Sequence, residues 1–203
     1  MGLDLAVNPA KAEIGTKMQS EPLRGTALAA DGYELPVTRF PAEGTPWATL
    51  CIGGAMGVRQ DFYAPFARYL AVNGVHVLTF DYRGSGWSRP PKLADFPAEL
   101  TQWAELDLDA MLLEARKPAP QLPLLFAGHS LGGQILGLAP HNQEVRAILN
   151  VTVGSGYYKF NEKMALHVRL LWFVLMPLLL PFFGYFPGRK LRIVGDLPLG
   201  VAW

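Results

Sequence analysis

The sequence predicts an α/β fold, a mostly parallel sheet with helices on both faces. Short apolar runs alternate with helical stretches along the chain. Each run is apolar at neighbouring positions, as strands covered on both sides require. Half of the 203 residues are hydrophobic, enough to cover such a sheet within one domain.

Each element has its own signal. Residues 26–29 and 33–40, separated by Asp31-Gly32, read as a hairpin. Residues 49–52 are an apolar run ending at Gly53-Gly54. A helix follows over 63–72, with Phe66, Leu70 and Ala71 on one face. The run 75–80 ends at Asp81. Residues 98–115 have helical periodicity, with Leu100, Trp103, Leu106, Ala110 and Leu113 in one stripe. Runs 122–127 and 145–153 complete the strands, and a short helix between them, 134–139, is stopped by Pro140. We set residues 1–20 apart as a flexible extension, 21–156 as the core and 157–203 as an apolar helical lid or cap. No strand signal follows, so the fold is expected to be incomplete.

Composition removes several classes of function. Eighteen basic and seventeen acidic side chains leave a net charge of +1 with no basic run, so no nucleic-acid partner is expected. The single cysteine, Cys51, makes no internal disulfide. It sits in an apolar run, where burial renders a thiol inert. No metal and no cofactor is expected. The chain does not open on an apolar stretch of signal-peptide length, and a cytoplasmic location is expected.

Ligands of parallel sheets sit beyond the carboxyl ends of the strands, so the residues after each apolar run carry the chemistry. After 122–127 comes Gly128-His129-Ser130-Leu131-Gly132-Gly133. Gly-x-Ser-x-Gly between a strand and a helix is a nucleophile elbow. The turn is tight and strained, pushes the Ser130 hydroxyl outward, and leaves no room for side chains at Gly128 and Gly132. The following helix aims its free N–H groups at a developing oxyanion. The stretch Gly53-Gly54-Ala55-Met56-Gly57 follows an earlier strand and offers a second donor. The expected donors are the N–H of Ala55 or Met56 and that of Leu131.

Gly53-Gly54, Asp81-x-Arg83-Gly84-x-Gly86-x-Ser88 and Gly128 to Gly133, in this order, resemble the α/β-hydrolase superfamily. The resemblance covers about residues 23–156 and is nearest to the serine aminopeptidase, monoacylglycerol lipase and esterase branch. That branch has His-Gly where Gly53-Gly54 stand. The resemblance implies a structural role for the Asp81 loop, a lid after the strand ending near Val153, and a triad acid and histidine after later strands.

Neither later residue is found in its place. Downstream of Ser130 stand His141, His167 and Asp196. His141 reads as an exposed loop residue and His167 as lid packing, and Asp196 precedes any further strand. His129 and His76 read as packing and core residues. The expectation is a chain that stops before its acid and base and is inactive alone.

Residues 170–188 carry no charge and are followed by Arg189, Lys190 and Arg192. Pro177, Pro181 and Pro187 predict one or two short helices, broken near Pro177 and Pro181, lying over Ser130. A lid is the leading reading, and membrane contact through 170–188 is the alternative. Trp172, Phe173, Phe182, Phe183 and Tyr185 favour a lipophilic substrate. The sequence therefore points to hydrolysis of a carboxylic ester, thioester or lipid ester through an acyl-enzyme on Ser130. The alternatives are a small-peptide aminopeptidase, which needs acidic residues to hold an amine, and a non-catalytic binding or membrane-associated protein.

Overall fold

The computed structural model describes residues 21–155, 157, 159 and 165–202. The extension read over 1–20 lies outside them. Six strands form one sheet: β1 (Leu23–Leu28), β2 (Glu34–Phe40), β3 (Ala48–Gly53), β4 (Val75–Phe80), β5 (Leu124–His129) and β6 (Val145–Val151). Their order is β1-β2-β4-β3-β5-β6. β1 and β2 form the expected antiparallel hairpin, and β2 also runs antiparallel to β4. β4, β3, β5 and β6 are mutually parallel, which brings the carboxyl ends of β3, β4 and β5 to one edge.

Alternation along the strands builds two apolar layers. All six residues of β3 are buried. Leu50 and Ile52 join Val75, Val77 and Ala127 on one face, beneath Ala67 and Ala71 of α1 (Ala64–Val72). Cys51 joins Leu78, Phe80 and Phe126 on the other. The buried residues of α1 are Ala67 and Ala71, whereas Phe66, expected on the inner face, is exposed. Two alanines let the helix backbone approach the sheet more closely than a phenylalanine would allow.

The helical region predicted over 98–115 is observed as α2 (Leu100–Gln102), a π-helical stretch (Trp103–Leu108) and α3 (Asp109–Arg116) in direct succession. Its inner face is Trp103, Ala104, Asp107, Leu108, Met111, Leu112 and Ala115, and Leu113 of the predicted stripe is exposed. The wide π turns explain the shift. They hold residues four apart in line, where a uniform 3.6-residue helix would rotate them away.

After β5 comes α4 (Leu131–Ile135). The chain then passes through β6 and, after residues outside the description, reaches α5 (Ala165–Leu170), a π-helical stretch (Leu171–Leu175) and α6 (Met176–Phe183). These three form one helix of 19 residues, Ala165–Phe183. The break predicted near Pro177 and Pro181 is not observed. Pro177 follows directly on the π stretch, whose wider turns absorb the change of pitch and the missing N–H without a break. Pro181 lies on the exposed side, where a freed carbonyl can meet water. The chain finishes with β7 (Tyr185–Phe186), α7 (Gly188–Leu191), β8 (Leu197–Pro198) and α8 (Leu199–Ala202). Gly195 N–H donates to the Gly57 carbonyl, and Pro198 packs against Gly84. The C-terminal segment therefore rests on the loops at the carboxyl ends of β3 and β4.

β6 differs from its neighbours. No residue along it is fully buried, and Ile148, Leu149 and Val151 are all about half exposed at 53%, 52% and 46%. It pairs with β5 on one side, and among the described residues no strand pairs with its other side. Between Phe62, Phe66, Leu149 and Val151 lies a hollow of ≈ 380 Å³.

Candidate active site

Ser130 stands between β5 and α4 with φ 50° and ψ −116°. A residue with a Cβ adopts such angles only when its surroundings force it. Those surroundings are visible. Ser130 N–H donates to the Val151 carbonyl at 3.0 Å, and the Ser130 carbonyl accepts from Gly133 and Gln134 at 3.1 and 3.3 Å. The turn is thus tied to the neighbouring strand and to the helix it starts. Leu131 N–H, the first of α4, has no acceptor within the helix and is available to an oxyanion.

The glycines hold this turn against the loop after β3. A Cβ on Gly132 would overlap the carbonyls of Gly53 and Gly54, and one on Gly133 would overlap Val153 and Asn150. Gly128 meets Gly133 in the same way. At Gly53, where the resembling branch has histidine, a Cβ would sit 2.5 Å from the Phe126 ring. That ring fills the space a side chain would take, which accounts for the departure.

The loop after β3 has a lock that the sequence did not reveal. Tyr63 Oη accepts the Ala55 N–H at 2.8 Å and lies 2.9 Å from His129 Nδ1. Phe62 stacks on the His129 ring at 6.3 Å. His129 is therefore a packing residue, as read, and also one partner of a buried tyrosine. Burial pushes the Tyr63 hydroxyl above its usual pKa, so it remains a neutral donor. With the Ala55 N–H committed to Tyr63, the expected role of Ala55 as oxyanion donor is corrected. Met56 N–H is the candidate left in that loop.

Asp81 is structural. Its carboxylate accepts from Gln60 N–H (2.9 Å), Gln60 Nε2 (3.2 Å) and Trp87 N–H (3.0 Å). Burial raises its pKa, against those three bonds. Gly86, at φ 50°, leaves room for it, since a Cβ there would overlap the carboxylate. Next to it, Arg83 Nε and N–H both reach Asp107 at 2.8 Å, and its other nitrogens reach Asp31 at 2.6 and 3.1 Å. Asp107 is fully buried, and burial pushes its carboxyl up to about 6. These two bridges fasten the loop after β4 to the long helix and to the β1–β2 turn.

The four histidines do not complete a triad. His76 accepts the Ala42 N–H, half-buried at the far edge of the sheet. His129 faces Tyr63. His167, expected to pack, is exposed on α5. His141 was read as an exposed loop residue; Asp109 Oδ2 lies 2.8 Å from its Nδ1 and Oδ1 accepts its N–H at 2.7 Å. A carboxylate therefore orients a histidine here. It is the wrong pair for Ser130: His141 precedes β6, at the amino ends of the parallel strands, about 17 Å or one strand length from the elbow. Asp196 is bound to Arg89 at 3.3 Å and accepts the Arg189 N–H at 3.0 Å. Cys51 is buried, and burial raises its thiol far out of reach of ionisation. Among the described residues no cluster of three His, Cys, Asp or Glu could hold a metal.

Residues 45–183 match the family model described as serine aminopeptidase, S33. The chain belongs to this family of α/β-hydrolases. No curated protein matches it significantly. Solved structures do. A highly thermostable carboxyl esterase from Bacillus coagulans is 17% identical with a TM-score of 0.59, covering 86% of this chain and 56% of that one. A soluble variant of monoglyceride lipase from Saccharomyces cerevisiae is 20% identical with a TM-score of 0.58, covering 83% and 54%. A lidless α/β serine hydrolase from Xanthomonas campestris is 20% identical with a TM-score of 0.55, covering 71% and 67%. At these identities the likeness is one of fold. The chain spans just over half the length of the esterase and the lipase.

Proposed function

We propose that Ser130 is the nucleophile of a serine hydrolase acting on lipophilic carboxylic esters, with its acid and base supplied from outside these 203 residues. The observation that carries this reading is the strained backbone of Ser130, held at the carboxyl edge of the sheet against the loop after β3. In the proposed reaction Ser130 Oγ attacks the ester carbonyl carbon while the supplied base takes its proton. Leu131 N–H and Met56 N–H receive the oxyanion. The intermediate collapses to an acyl-enzyme as the alcohol leaves with the proton, and water then releases the acid. The C-terminal segment, resting on the neighbouring loops, is the lid of this site.

An ester is favoured over a small peptide by the charge of that segment. Among the described residues from 165 to 202 the single acidic side chain is Asp196, already bound by Arg89. Nothing there is placed to hold a substrate's ammonium group.

The test is a fluorophosphonate label together with p-nitrophenyl ester hydrolysis, on this chain and on a protein extended by its downstream coding sequence. The extended protein should react at Ser130, and Ser130→Ala should lower its turnover by several powers of ten. This chain alone should do neither. Equal hydrolysis by both would show that the base lies within the 203 residues. An extended protein whose Ser130 resists the label would end the enzymatic reading.

A further inference from the structure

We infer that residues 188–196 position the oxyanion donor: their backbone clamps the turn that carries Met56 N–H, so the donor is held in place only while this part of the C-terminal segment is docked. The inference rests on the proposed hydrolase reading and makes Gly195 a positioning residue of that site.

The turn is short and is gripped at both ends. Val58 N–H donates to the Ala55 carbonyl at 3.1 Å, closing a tight turn with Met56 and Gly57 at its centre. Gly57 has φ 69°, the left-handed backbone that a turn of this kind needs at its third position. At the entry, Tyr63 Oη accepts Ala55 N–H at 2.8 Å. At the exit, the Gly57 carbonyl accepts Gly195 N–H at 3.1 Å. Met56 N–H lies between these two clamps and takes part in neither. One clamp comes from the start of α1 and the other from the far end of the chain.

The second clamp is main chain on main chain. A Cβ on Gly195 would lie 2.5 Å from the Gly57 carbonyl oxygen, and one on Gly57 would lie 2.7 Å from the Gly195 nitrogen. The loop behind Gly195 is itself closed. Ile193 N–H donates to the Gly188 carbonyl at 3.1 Å, and Asp196 accepts Arg189 N–H at 3.0 Å. Asp196 also pairs with Arg89 at 3.3 Å, which fastens the loop to the chain that follows β4. Met56 and Val194 pack against the same core. A segment that only covered a substrate would have no need to hydrogen-bond the backbone of the donor turn. Clamping matters because an oxyanion donor works only at its proper distance, and a misplacement of about 1 Å costs about a hundredfold in rate.

The test has a physical arm and a kinetic one. In the first, amide hydrogen exchange of this chain is followed by mass spectrometry. Gly195→Ala should speed exchange over residues 55–58 by about tenfold or more, because the added methyl group cannot fit against the Gly57 carbonyl and the loop must lift away. Asp196→Asn loosens the loop from Arg89 without any clash at Gly57, and should act in the same direction more weakly. In the second arm, Gly195→Ala in the extended protein should lower kcat for p-nitrophenyl esters by about ten- to a hundredfold with KM changed less than about threefold, since the donor acts on the transition state. Tyr63→Phe should do likewise, and the pair together should cost less than the product of the two, because each frees the same turn. A raised KM with an unaltered kcat would make the loop a substrate cover and overturn the inference. Exchange over 55–58 that ignores Gly195→Ala would overturn it whatever the kinetics. Turnover lost in Ser130→Ala but kept in Gly195→Ala would remove this inference alone, whereas turnover that survives Ser130→Ala would remove the hydrolase reading and the donor role with it.

Discussion

Tyr63→Phe tests whether the loop after β3 is held as described. The substitution keeps the ring, its volume and its packing against Gly54, so no cavity forms. It removes the hydroxyl alone. That hydroxyl accepts from Ala55 N–H and donates toward His129 Nδ1, both at ordinary hydrogen-bond lengths. Ala55 is 8% exposed, so its N–H has little access to water once the oxygen is gone. A buried donor left without a partner costs about 1–3 kcal/mol, and the lost bond to the half-buried histidine about 0.5–1.5. The expected loss is therefore about 1.5–4.5 kcal/mol. In guanidinium unfolding the midpoint should fall while the slope with denaturant is unchanged. A double-mutant cycle with His129→Ala isolates the tyrosine–histidine bond and should give a coupling of about 0.5–1.5 kcal/mol. A loss below about 0.5 kcal/mol with no coupling would refute the lock, and would return Ala55 N–H to the list of oxyanion donors.

Three further outcomes follow from the same geometry. Gly132→Ala places a methyl group inside the Gly53 carbonyl, backbone against backbone; neither side can yield cheaply, and we expect a loss of more than about 3 kcal/mol, read as loss of soluble folded protein. Arg83→Met removes the charged partner of the fully buried Asp107, leaving it the backbone N–H of residue 83, and should cost about 3–5 kcal/mol at pH 7. The Asp107 pKa is already pushed up to about 6 when folded, so its ionisation removes stability as pH rises from about 4 through that value; the deficit of the variant should shrink on acidification to about pH 5, and a deficit independent of pH would contradict the assignment. Asp109 holds the His141 pKa above its usual 6.5, its hydrogen bond being the main cause. Its stabilising effect is present below 6.5 and lost as pH rises through the raised value; NMR titration should show the shift, and Asp109→Asn should abolish it.

The strands and the elbow were legible because local chemistry specifies them. An apolar run such as 122–127 followed by Gly-x-Ser-x-Gly admits few other structures, and the Ser130 backbone angles agree with that reading. Residues whose roles depend on distant partners were not legible. Tyr63 looks like the start of a helix until His129, 66 positions away, is seen beside it. Asp107 breaks an apolar periodicity, and its reason is Arg83, 24 positions earlier. A charged residue four positions from Trp103 and from Met111 on one helix face was the available signal. The two π-helical stretches defeated the helical reading in different ways. One turned the inner face toward positions four apart, and the other carried a helix past Pro177 without a break.

The contact between Gly132 and the Gly53 carbonyl has a consequence for how such a site can vary. Main chain rests on main chain there, with no rotamer between the nucleophile turn and the loop that faces it. Their separation is therefore set by covalent geometry and strand pairing, quantities that a point substitution elsewhere scarcely alters. Diversity of substrate must then enter through parts that touch the site without supporting it. In the proposed hydrolase the side chains of the C-terminal segment that rests on the loops after β3 and β4 are one such part, free to change while the turn keeps its place.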